Sequence, residues 1–123
     1  MLAARHGTSV ITTIGGSLPS APPATDESLD RAHSVRRAVI VHNLRLLRDH
    51  GVRIAIGSDA GEGSPVAEAL ILQRLGVFST ARLLNMLTYE ASRVVFPRRS
   101  TGRLEDGYEA SFLALTASAL QLR

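Results

Sequence analysis

The 123-residue sequence predicts an α/β fold with parallel strands, and three observations carry that reading. Ser9-Val-Ile-Thr-Thr13 is a compact β-branched run that stops at Gly15-Gly16. Ile40, Leu44 and Leu47 recur at helical spacing ahead of Gly51. A second apolar run, Val52 to Gly57, begins directly after that glycine. Strand, helix, tight glycine and strand make a βαβ unit, whose crossover leaves the two strands parallel.

Taken in order, the elements follow from local chemistry. Residues 15–24 are rich in Gly, Ser and Pro and read as a loop. Thr25 or Asp26 can cap the long helix, and its acidic first turn suits the positive end of the dipole. Val35 and Val39 are read as widening its apolar arc, with Arg31, Arg45 and Arg48 off that stripe. Gly51 is placed to stop it after about six or seven turns. Beyond the second strand, Ser64 caps a helix with Pro65 at its first position, and Gly76 closes it. Ser79 opens a short helix through Met86. Thr88 is read as the cap of a third, Tyr89 to Phe96, which Pro97 terminates. A turn at 102–107 then leads into a predicted strand, Ala110 to Leu115.

Composition excludes several function classes. All 14 basic residues are arginine, scattered except at Arg36-Arg37 and Arg98-Arg99, and aromatics are only 4%. No nucleic-acid partner is expected, because such a surface joins a basic stripe to interleaved aromatics. Without lysine there is no Schiff base, no carbamylated bridging lysine and no phosphate-loop lysine. Without cysteine there are no disulfides or thiolate metal sites. No apolar run reaches membrane-span length, so no membrane partner is expected. The amino end lacks the apolar region of a secretory signal, which leaves the compartment unknown, cytoplasmic by default.

The chemistry concentrates at Arg53-Ile-Ala-Ile-Gly-Ser-Asp59, where an apolar strand ends at a glycine and a carboxylate follows. Such an acid at the carboxyl end of a parallel sheet can bind a divalent metal, act as a base or orient a histidine. On spacing alone, a helix cap or loop acid is the commoner reading. The glycine-rich run 57–65 leads into a helix N-terminus, but it has neither the spacing nor the Lys-Ser/Thr pair of a phosphate loop. His6, His33, His42 and His50 show neither His-x-His nor His-x-x-x-His spacing. No Gly-x-Ser-x-Gly elbow is present. One acid without a ligand set does not make a self-sufficient active site.

Four motifs occur in a telling order: Ile54-Ala-Ile-Gly-Ser-Asp59-Ala; Glu68-Ala69 with Leu75-Gly76; Met86-Leu-Thr88-Tyr-Glu-Ala91; and Gly102-Arg-Leu-Glu-Asp-Gly107-Tyr-Glu-Ala110-Ser-Phe-Leu-Ala-Leu115. Together they resemble the carboxyl-terminal third of amidohydrolase-superfamily enzymes, most of all the imidazolonepropionase-like and cyclic-amide or dipeptide hydrolases. The resemblance implies the last two β/α units of a metal-dependent (β/α)8 TIM barrel plus a terminal strand of a small β-sandwich. It divides the chain into a partial barrel, residues 1–97, and a sandwich strand segment, residues 98–123.

By the same resemblance Asp59 is a metal ligand and the proton shuttle for hydrolysis of a carbon–nitrogen bond in a small-molecule amide. The metal is a divalent ion, zinc by expectation, held by a larger parent. No tight metal binding is expected of this chain alone, because the other ligands of the family have no counterpart in it. Ala110-Ser111 departs from the family's usual Ala-Asp at the start of the sandwich strand. The rival expectation is a non-catalytic binding or oligomerising module that buries its open strand edges against a partner or, as a homo-oligomer, against another copy.

Overall fold

A computed structural model describes residues 2–15, 27–59 and 63–116. Element order is α1 (Leu2–Arg5), β1 (Ser9–Thr12), α2 (Glu27–Asp49), β2 (Arg53–Ile56), α3 (Pro65–Leu75), α4 (Thr80–Asn85), a π-helical turn (Met86–Glu90) and α5 (Ala91–Val95). The predicted loop beyond Gly15 and the cap at Thr25 or Asp26 lie outside the described residues.

The two strands pair in parallel, with Ser9 opposite Arg53 and Thr12 opposite Ile56. One further ladder bond, from Gly57 N–H to the Thr12 carbonyl at 3.1 Å, carries the pairing past the end of β2. Ile54, Ala55 and Ile56 are all buried, as expected of a strand covered on both faces. The core gathers these residues with Leu44 of α2, Ala69, Leu72 and Leu75 of α3, and Leu83 and Met86 farther on. Helices thus cover β2, whereas β1 stays partly exposed, and the sheet described is two-stranded.

Local chemistry sets the helix ends. α2 runs 23 residues and stops before Gly51, whose φ of 66° is left-handed. Ser64 Oγ accepts from Ala67 N–H at 3.1 Å, Pro65 takes the first position of α3, and Gly76 caps its far end. Ser79 Oγ likewise accepts from Arg82 N–H at the start of α4.

Three expectations need correction. Val35 and Val39 do not widen the buried arc of α2, since they are 59% and 53% exposed. On a helical wheel they fall with Leu46 about 120° from Ile40, Leu44 and Leu47, which places them on a second stripe. Thr88 does not cap a new helix, because it sits inside the π-helical turn that joins α4 to α5 without a break. Its hydroxyl donates back to the Leu84 carbonyl at 2.9 Å, the usual answer of a threonine within a helix. Finally, Ala110 to Leu115 form no strand, and Phe112, Leu113 and Leu115 are exposed. A strand needs a neighbour for its backbone groups, and no described residue offers that segment one.

Candidate functional site

The carboxyl ends of β1 and β2 carry the chemistry that the sequence points to. Asp59 lies three residues beyond Ile56, at the end of β2 opposite Arg53. It is exposed, and among the described residues it makes no hydrogen bond or ion pair. Its carboxylate is therefore available to a ligand or to solvent. The turn that delivers it depends on Gly57, where an added Cβ would stand 2.6 Å from Ile11 Cγ2. That close approach brings the exits of the two strands side by side.

A second acid at this end is engaged in structure. Glu68, on α3, is buried at 3% exposure. Its Oε1 accepts from Ile14 N–H and its Oε2 from Gly15 N–H, each at 2.8 Å. Both carboxylate oxygens thus satisfy backbone donors just past β1, so Glu68 pins the exit of that strand to α3. Thr12, the last residue of β1, has a buried hydroxyl without a partner among the described residues. Sequence reasoning registered Glu68 only as part of a motif. A signal was available, since Glu68, Leu72 and Leu75 share one helix face, and an acid in an apolar stripe announces a buried partner.

The histidines do not converge on Asp59. His6 and His42 are exposed on α1's exit and on α2, and His50 donates from Nδ1 to the Leu46 carbonyl at 2.8 Å. His33, on α2, has a buried Nδ1 without a partner among the described residues. Among the described residues no group of three His, Cys, Asp or Glu side chains could hold a metal ion. The donors on hand therefore do not fit a complete metal centre; Asp59 can offer one carboxylate to such a centre and no more. No helix of the described residues is long and apolar enough to cross a membrane.

The opposite end of β2 is built differently. A cavity of about 480 Å³ opens there, lined by Arg48, Arg53, Arg82 and Arg93 around the carboxylate of Glu90. Arg53 and Arg82 reach Glu90 at 3.4 and 3.1 Å. Nothing in the local sequence pattern brings these arginines together, because they come from α2, β2, α4 and α5.

No curated protein and no solved structure matches the chain. The profile of the amidohydrolase family matches residues 2–121, nearly its whole length. That family is one of hydrolases with a TIM-barrel-like fold, generally dependent on divalent metals. The chain therefore belongs to the amidohydrolase family.

Proposed function

We propose that this chain supplies two adjacent β/α units of an amidohydrolase barrel that hydrolyses a carbon–nitrogen bond. The substrate class is a small amide or cyclic amide, in keeping with the imidazolonepropionase-like branch that the motifs resemble. The observation that carries the reading is Asp59, unengaged and exposed beyond the carboxyl end of a buried parallel strand. In barrel enzymes that end holds the chemistry.

Asp59 would contribute one oxygen donor to a divalent metal, with zinc the expected ion. As a base it takes a proton from the attacking water and returns it to the leaving nitrogen as that bond breaks. Glu68 serves the same end indirectly by holding the exit of β1 next to the Asp59 turn. The remaining ligands belong to other parts of the barrel, since a closed barrel needs eight strands and the described residues hold two. The chain by itself is then inactive.

Calorimetric titration of the 123-residue chain with zinc tests the incompleteness directly. Weak, non-stoichiometric binding is expected, and a tight one-to-one site would overturn the reading. In any preparation where the chain acts on an amide, Asp59→Asn should lower kcat by about 10²- to 10⁴-fold, the usual reach of a general base. An unchanged rate would remove Asp59 from the chemistry.

A further inference from the structure

We infer that the arginine-lined cavity at the amino end of β2 is a binding site for a small oxyanion of the phosphate class, either phosphate itself or a small phosphate monoester. The inference does not depend on the hydrolytic reading, because the cavity lies at the end of β2 away from Asp59.

Charge comes first. Four arginines and one carboxylate, Glu90, line this cavity, and with Asp49 paired to Arg48 at 2.8 Å the surplus is two positive charges. Glu90, with only 14% of its side chain exposed, is already shared between Arg53 and Arg82. The two guanidiniums reach one carboxylate within 3.4 Å, so they lie close to each other and repel. Arg48 directs one nitrogen to the Val77 carbonyl at 2.9 Å and another to Asp49, which anchors it at the rim. Arg93 makes no hydrogen bond or ion pair among the described residues. Glu90 and Asp49 offset part of the repulsion among these cations, and a bound anion would offset the rest.

Geometry and residue type narrow the anion. Guanidinium forks pair with phosphate oxygens in a bidentate manner that ammonium groups do not match. The guanidiniums of Arg48, Arg53 and Arg82 belong to side chains 40 to 45% exposed, so they can be reached from solvent and still retain donors. A volume of about 480 Å³ exceeds that of a bare phosphate and leaves room for a small organic body. Phe78 and the Tyr89 ring supply apolar wall for it. Arg103, stacked 3.7 Å from the Tyr89 ring centroid and ion-paired to Glu105 at 3.1 Å, holds that ring in place.

Titration calorimetry of the full chain with inorganic phosphate and with phenyl phosphate tests the site, with chloride at matched ionic strength as control. Saturable binding of either phosphate is expected, with no response to chloride. Arg93→Gln should weaken it about tenfold, the loss of one charge-assisted contact. That arginine has no structural partner, so the variant should keep the fold. Arg31→Gln, near the far end of α2, should leave binding unchanged. Absence of saturation with both phosphates, or equal binding by the Arg93→Gln and Arg31→Gln variants, overturns the proposal.

Discussion

Glu68 is an acid that acts on the backbone rather than on a substrate. Its two oxygens answer the two N–H groups that β1 leaves unpaired as it exits the sheet. Hydrogen bonds to a charged group contribute about 1.5–3 kcal/mol each, and an orphaned buried donor costs a comparable amount. Glu68→Ala should therefore cost about 3 kcal/mol or more, read as a fall in the urea midpoint. Glu68→Gln, which keeps one acceptor, should lose less; equal losses in the two variants would mean that packing, not the paired acceptors, matters. At the surface, Glu109 is hydrogen-bonded and ion-paired to Arg99, and this holds its carboxyl below the ordinary range. A depressed folded pKa gives a contribution that is complete above the ordinary glutamate value, about pH 4.3, and is lost as pH falls through the lower folded value. The pair is exposed, so the effect should be local. Hydrogen-exchange protection of the Glu109 amide, bonded to the Ser100 carbonyl at 2.7 Å, should decline in that acid window. Protection independent of pH would contradict the assignment.

At the scale of elements, the continuous helical segment from Thr80 to Val95 holds the loop that follows it. Ser92 Oγ donates to the Thr101 carbonyl at 2.9 Å, and Gly102 lies against the π-helical turn. A Cβ at Gly102 would meet the Thr88 carbonyl oxygen at 2.8 Å and Tyr89 Cα at 2.9 Å, on a backbone with φ of 88°. Left-handed strain of about 1–2 kcal/mol adds to the overlap, because backbone atoms cannot yield as a side-chain tip can. Gly102→Ala should thus lower the melting temperature markedly, whereas alanine at Gly107, also left-handed but in open space, should lower it less. The two substitutions having the same effect would show that no docking is involved. These elements also show what local pattern can and cannot reveal. The Ser64-Pro65 start and the Gly51 and Gly76 stops were legible because each depends on neighbours in sequence, and the parallel pairing of the distant strands followed from the strand–helix–strand order. The Glu68 clamp spans 54 residues and the arginine cavity draws on four elements, so only tertiary structure brings them together. Thr88 misled because a capping residue type inside a continuous helix is indistinguishable, by pattern alone, from a cap between two helices.

At the scale of the whole molecule, apolar surface faces outward among the described residues. Val35, Val39 and Leu46 form an outer stripe on α2, and Ile11 of β1 is 47% exposed. Two paired strands leave each with an open edge, and sheets this small gain little stability without further neighbours. Asp59 was legible as a candidate for a related reason: its strand is buried on both faces and its own position is open. What it works with was not legible, because among the described residues no group of three His, Cys, Asp or Glu side chains could hold a metal ion. If the chain is part of a larger barrel, as proposed, its behaviour in solution should show it. Exposed stripes and open edges should drive association at micromolar concentration, seen in sedimentation velocity as species that grow with loading. Val35→Glu combined with Val39→Glu adds charge to the outer stripe and spares the buried face of Leu44 and Leu47, so it should shift the distribution toward monomer without loss of helicity. A wild-type chain that stays monomeric at every loading and melts in one sharp, cooperative step would show that these two strands and their helices are sufficient alone, and the incomplete-barrel account would fail with that result.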